Sequence, residues 1–591
     1  MAANVPLEKE DEEIVKGFDW DVTKRIASYL TPYTRNLILA IIAMLFSVVA
    51  NVAGAPLIAY AVDQGIEGDD YSVVVTAVVA YLIIQVLGFL GFRFQLLNMA
   101  TAGQRVIQKI RDELFEHVQY LSPSFFTKYE AGRLIARIIS DVNTIRETIN
   151  FAVVGTMREI LTLFGIIFVM ARINLPLTAV AGVVLIVLFG IANVWRIYAR
   201  RAYLRVSDTN AKVNAELSES FNGVRVTQAF DRQAYNYNRF RTGLSTDLRE
   251  ANVLSALISG LFFPSIELVG GVAIGALIYV GGTLVLNDDL DVFTLLTFML
   301  YVDQFFFPVR MLAQRYNLFQ ATMAAGYKIF ALMDTEIEIK DDPNAVDLPR
   351  IEGHVQFENV NFWYVEGGEK ILSDVNLNVP AGSTVAFVGH TGAGKSTMIK
   401  LIMRFYDVTE GRVCIDGHDV RSVSQNSLRR QMGVVMQETH LFTGSVIDNI
   451  RYGRLDATDE DVIEAAKAVG AHDFIVKLDK GYDTEIREGG SLLSTGQRQL
   501  LAYARALLAD PRILILDEAT ANIDTATEKV IQQALARLLE GRTSFVIAHR
   551  LSTITNSDKI VVMDHGEIIE EGTHSDLLDK RGTYYKLYTL A

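Results

Sequence analysis

The stretch Gly389-His390-Thr391-Gly392-Ala393-Gly394-Lys395-Ser396 carries the clearest chemistry in the chain. Its glycines let successive backbone N–H groups turn toward a polyphosphate, and the helix that should follow adds its partial positive charge. Lys395 is placed to reach the β- and γ-phosphates and Ser396 to ligate Mg²⁺, with Thr397 beside them. A short apolar run (Thr384–Val388) precedes the stretch and an amphipathic run (Thr397–Tyr406) follows it. That is the strand–loop–helix setting a phosphate-binding loop needs. It implies a nucleoside triphosphate without saying what the nucleotide drives.

Two more constellations belong to the same chemistry. Ile513-Leu-Ile-Leu-Asp517-Glu518 is an apolar run ending in paired carboxylates. A buried parallel strand would deliver both at its C-terminal edge, where Asp517 can hold Mg²⁺ and Glu518 can polarise an attacking water. His549 ends a further apolar run, Ser544-Phe-Val-Ile-Ala-His549. A histidine there can contact the γ-phosphate and steady the Glu518–water geometry.

These groups need elements to position them, and the rest of the chain is of two kinds. With 591 residues, more than one domain is expected. Half the residues are hydrophobic and 21% are charged, a membrane-protein profile, while a net charge of −14 argues against a nucleic-acid partner. The N-terminus carries Glu8, Glu10, Asp11, Glu12 and Glu13, which is unlike a cleaved signal peptide. The one cysteine, Cys414, excludes an intramolecular disulfide and a cysteine-cluster metal site.

Six apolar runs lie before residue 310: Leu37–Val62, Val73–Phe92, Phe151–Ala171, Leu175–Trp195, Val253–Leu286 and Val292–Val309. About 20 helical residues cross the hydrocarbon core, so each is a candidate span, with Pro56, Pro264 and Pro308 as kink points. The connections Asp63–Tyr71 and Asn287–Asp291 lack Lys and Arg, whereas 98–150 and 196–252 are rich in both. The positive-inside rule then predicts six crossings with both termini cytoplasmic, and long helices that extend beyond the membrane. Breaks are expected at Ser122-Pro-Ser-Phe-Phe126 and Ser220-Phe-Asn-Gly223. Residues 1–30 read as a cytoplasmic tail and an interfacial helix with Trp20 and Tyr29 at headgroup depth. The transmembrane domain is expected over 31–333, a polar linker over 334–350, and an α/β P-loop ATPase domain over 351–591.

With these motifs in order, the chain resembles an ABC half-transporter of the exporter type, similar to bacterial heterodimeric multidrug exporters. The resemblance implies ATP and Mg²⁺ as cofactors and a multi-pass place in the plasma (inner) membrane, with the nucleotide domain cytoplasmic. It also implies roles for single residues. Gln437 would sense Mg²⁺ and the water, and Tyr364 would stack on adenine. Ser494, Gly496 and Gln497 belong to the signature that binds the γ-phosphate held by a partner's P-loop. Thr484–Glu488 resembles the segment that touches the membrane-domain loops, and Asn522-Ile-Asp524 the loop joining paired nucleotide domains.

This signature reads Leu493-Ser-Thr-Gly-Gln497, with Thr495 where the family has glycine. A β-branched side chain restricts φ and adds bulk beside the phosphate. A heterodimer with one degenerate ATP site is therefore expected, a homodimer that tolerates Thr495 being the alternative. For cargo, Glu267, Asp303 and Gln304 lie inside apolar runs, next to Phe305 and Phe306. Two acids and an aromatic wall would suit a small amphipathic, cationic molecule, unless these groups pair across helices. The rival cargo is a lipid or peptide, or import on the same frame.

Overall fold

The computed structural model describes residues 19–149, 154–365, 367–437, 439–487, 490, 493–517, 525–547 and 551–590. Glu518, Asn522–Asp524 and His549 lie outside the described residues. Contacts divide the chain into two units, Met1–Tyr120 with Tyr129–Thr335, and Leu121–Lys128 with Glu336–Ala591.

The first unit is helical, and the second carries a P-loop α/β sheet. Among the described residues, six helical stretches are long and apolar enough to cross a membrane. Their helices include Thr34–Tyr60, Tyr71–Tyr120, Val154–Ile173, Leu175–Asn222, Leu244–Leu286 and Val292–Met333. Tyr71–Tyr120 has 50 residues, and at 1.5 Å per residue it spans about 75 Å, more than twice the ~30 Å hydrocarbon core. The two expected breaks are helix ends, at Tyr120 and Asn222, each followed by a short helix, Pro123–Lys128 and Val224–Ala229.

Small residues bring the first two long helices together. A Cβ on Gly88 would stand 2.8 Å from that of Ala50, and one on Gly91 would stand 3.0 Å from the Ala43 carbonyl. Such close backbone approach drives helix association where lipid removes the hydrophobic incentive. Leu175–Asn222 and Leu244–Leu286 are joined by the stacked rings of Trp195 and Phe262, 4.1 Å apart. The Trp195 indole N–H also donates to the Ile258 carbonyl at 3.1 Å. Pro56 sits inside Thr34–Tyr60 and leaves the carbonyl four residues earlier, on Val52, without its helical donor. The hydroxyl of fully buried Tyr301 donates to that carbonyl at 2.8 Å. A neighbouring helix thus satisfies what the proline freed.

The helix Trp20–Leu30 packs its apolar face on the last long helix. Its N-cap is Asp19, and its buried residues are Val22 and Ile26. Those side chains cover Gly326 of the last long helix. Arg25 forms a two-pronged ion pair with Asp334, and the Tyr29 hydroxyl donates to Glu113 at 2.6 Å. The amphipathic face of this helix thus packs on protein. Trp20 is exposed.

In the second unit, the strands Met432–Val435, Ile513–Asp517, Thr543–Ile547, Thr384–Val388, Lys559–Asp564 and Glu567–Gly572 lie side by side in that order. All neighbours but the last pair are parallel. The central strands are apolar runs buried almost end to end, as expected for a sheet covered on both faces. A four-stranded antiparallel sheet orders Leu372–Val379, Val355–Phe362, Glu410–Ile415 and His418–Asp419. Cys414 is buried in it.

The polar segment expected as a linker is held tightly from Glu336 onward within the second unit. Asp341 accepts from the backbone N–H and side-chain amide of Gln425, and its neighbour Lys340 gives its carbonyl to Arg404.

Candidate ATP site

Sheet register explains why distant residues meet. Ile547 pairs with Phe387 on one side and with Asp517 on the other. The three strands therefore end together at one edge, and α/β sheets bind ligands in the loops at such an edge. Residues 389–396 form the first of these loops.

Here glycine is needed for two separate reasons. Gly394 has φ +100°, as the residue before the helix Lys395–Ile402. At Gly389 any Cβ would lie 2.2 Å from the Met563 carbonyl oxygen. Thr391 and Gly392 are exposed at the tip, Lys395 is half-buried, and Ser396 is exposed in the first helical turn. The Lys395 ammonium donates to the carbonyls of Gly389 (2.7 Å) and His390 (2.9 Å), closing the loop on itself. Burial lowers its pKa, and the Asp517 carboxylate pushes it back up. The structure thus brings the P-loop lysine and the first strand-end acid together. A glycine-rich loop at a helix N-terminus, with a lysine, a hydroxyl and a carboxylate beside it, fits a metal-bound polyphosphate.

Tyr364 belongs to the same group. Its ring is partly exposed and meets Phe362 and Tyr406 edge-on, at 4.9 and 5.0 Å. Its hydroxyl is 3.0 Å from that of Thr397, so Thr397, which is buried, ties the ring to the P-loop helix. Gln437 is exposed just beyond the strand Met432–Val435.

Ser494, Gly496 and Gln497 stand apart, at the start of the helix Thr495–Leu508. Among the described residues no hydrogen bond joins them to the P-loop. Ser494 is the N-cap: its Oγ accepts the Gln497 N–H at 3.2 Å, and the Gln497 side-chain oxygen accepts the Ser494 N–H at 2.9 Å. Thr495 takes the first helical position, and it is absent from the positive-φ residues. The expected backbone restriction is therefore no burden to this chain. What remains is bulk: Thr495 is exposed, and its hydroxyl accepts from the Arg498 guanidinium at 3.2 Å.

The cargo candidates are dispersed. Glu267 and Asp303 are exposed on their helices. Gln304 is half-buried, and its carbonyl oxygen is buried without a hydrogen-bond partner among the described residues. Phe305 and Phe306 are 1% and 8% exposed, and Phe306 packs where Gly270 leaves room. These two rings are packed within the helical unit, whereas the adjacent Phe307 is 49% exposed. Glu159 is buried, salt-bridged to Arg158 at 2.7 Å and 3.8 Å from Arg315.

Sequence reasoning missed Arg404 and Tyr406, which lie just past the P-loop helix, Tyr406 packing against Tyr364. Only Arg404, a charge among apolar neighbours after the P-loop helix, offered a signal.

Comparison with known proteins agrees with this geometry. Residues 37–309 match the family model of the ABC transporter transmembrane region, and residues 372–521 match that of the ABC transporter. The chain is 39% identical to an ATP-dependent lipid A-core flippase of Syntrophus aciditrophicus (strain SB), covering 96% of this chain and 94% of that one. It is 37% identical to a Bacillus subtilis (strain 168) protein whose name provisionally assigns it to multidrug export, covering 96% and 99%. The structure of a bacterial Atm1-family ABC exporter with ATP bound superposes with a TM-score of 0.79 at 31% identity, over 94% of this chain and 98% of that one.

Proposed function

The chain belongs to the ABC transporter family, as an exporter-type half-transporter whose ATPase is coupled to membrane transport, and from that premise we propose that it expels hydrophobic or amphipathic compounds as half of a heterodimer. In this reading it sits in the plasma (inner) membrane with the nucleotide domain cytoplasmic. Ser396, Gln437 and Asp517 hold Mg²⁺ on the ATP.

Thr495 carries the heterodimer reading. It costs its own helix nothing, so its effect falls on whatever approaches that helix end, namely nucleotide held by a second chain. In a homodimer both sites would meet the threonine. A partner with glycine there and a substituted catalytic carboxylate would leave one fast and one slow site. In the assembled pair Thr495→Gly should then leave ATP turnover within about twofold, because the site it restores still lacks the partner's catalytic carboxylate. The chain expressed alone should be poorly active. A stable, fully active homodimer that gains nothing from Thr495→Gly would sink this reading.

Exposed acids within apolar helices support the cargo reading, because each costs about 2.5–3.5 kcal/mol to insert and needs a compensating use. Glu267→Gln and Asp303→Asn are expected to narrow the range of cationic dyes pumped into proteoliposomes of defined sidedness, with basal ATPase little changed. If cationic and neutral dyes are carried as before by both variants, the acids have no part in cargo selection. A second reading, an anionic lipid as cargo, is favoured by Arg158 and Arg315 around the single acid Glu159, with Arg315 Nη1 buried and unpartnered among the described residues. Fluorescent lipid movement in the same vesicles separates the two.

A further inference from the structure

Two features of the second unit converge on one short strap. The first is Arg404, just past the P-loop helix Lys395–Ile402. Its φ is +49°, the left-handed position at which helices usually place glycine. The chain keeps an arginine there and buries it to 2% exposure. The guanidinium donates to the carbonyls of Lys340 and Val423, both at 3.0 Å, and to Asp407 (3.1 Å) and Asp341 (3.3 Å). Left-handed backbone in a bulky residue, with a buried charge, persists only where the surroundings over-determine it. Here they fix residues 340 and 341 to the end of the nucleotide-binding helix.

The second feature is Glu338. Its carboxylate accepts from the hydroxyls of Ser122 (2.8 Å) and Ser124 (2.5 Å), both buried. Those serines flank Pro123 in Leu121–Lys128, a segment whose contacts place it in this unit. In the chain it continues directly from the helix Tyr71–Tyr120. Glu338 also lies near Tyr406. Burial raises the Tyr406 pKa most, with Tyr364 and Glu338 adding to it. Tyr406 in turn meets Tyr364, which is tied to Thr397 of the P-loop helix.

We propose that Glu338 is a positioning residue for coupling: the strap Glu338–Asp341, pinned by Arg404, fastens segment 121–128 to the nucleotide-binding helix. Movement at the P-loop then reaches the end of the helix Tyr71–Tyr120 through this clasp. Glu338 touches no part of the reacting ATP, so breaking the clasp should separate hydrolysis from transport. This rests on the transport reading above.

The test uses the full-length assembled transporter in proteoliposomes, with labels at Glu67→Cys and Asp288→Cys on the two short connections and Cys414→Ser as background. Unmodified at position 338, it should hydrolyse ATP and change the label separation when ATP is added. Glu338→Ala should keep ATPase within about twofold, lose the ATP-induced change, and move at least about tenfold less dye per ATP. Glu338→Gln, which keeps an acceptor for the hydroxyls, should restore both. Ser122→Ala with Ser124→Ala should reproduce the loss, and combining it with Glu338→Ala should add nothing further. The serine pair also serves if Glu338→Ala fails to assemble. The proposal is overturned if the label change survives loss of the clasp, or if ATPase falls in step with it. Failure of the cargo reading looks different: labels that respond to ATP in a transporter that moves none of the dyes.

Discussion

Lys395→Ala should weaken ATP binding by about 10²-fold, because a charge-assisted phosphate contact is worth up to about 3 kcal/mol. The lysine has two tasks in this loop. Its ammonium supplies charge toward the phosphates, and it also braces the loop by donating to the Gly389 and His390 carbonyls. Alanine removes both. Lys395→Arg should recover little, because a planar fork cannot replace a compact ammonium between two carbonyls. Titrating a fluorescent nucleotide into the full-length protein checks this. An unchanged dissociation constant for Lys395→Ala would remove the lysine from the phosphate site.

Glu518→Gln is expected to do the opposite: normal ATP binding, with turnover lowered by about 10²-fold or more, as for loss of a positioned general base. The structural support is one residue away. Asp517 closes its strand beside Lys395, in register with Ile547 at the P-loop edge of the sheet. Steady-state phosphate release measured alongside nucleotide binding separates the two effects. Near-normal hydrolysis in Glu518→Gln would mean that another group activates the water.

Much of this was legible in the sequence, for a physical reason. A P-loop is a local object whose glycines, lysine and hydroxyl are adjacent in the chain. Buried parallel strands and membrane helices announce themselves as unbroken apolar runs. Amphipathic and long-range features were less legible. The apolar face of Trp20–Leu30 could equally have met lipid or protein, and it meets Gly326. Phe305 and Phe306 follow two polar residues that suggested a cavity, yet at about 100° per residue Phe305 lies on the far side of the helix from exposed Asp303, and both rings are buried. Glu338 and Ser122 are 216 residues apart, and no pattern within either neighbourhood announces their pairing. Thr495 shows the converse. Its substitution was visible at once, but only the helix geometry showed that its own backbone carries no strain.

The 50-residue helix Tyr71–Tyr120 has a mechanical consequence. It is a lever about 75 Å long with the phosphate chemistry linked to one tip. Tilted by about 5° around its midpoint, it would move each tip by about 3 Å, close to the width of a hydrogen bond at one end and of a water molecule at the other. Length here sets the gear ratio. A proline placed between Arg93 and Tyr120 would let the rod kink and absorb that stroke.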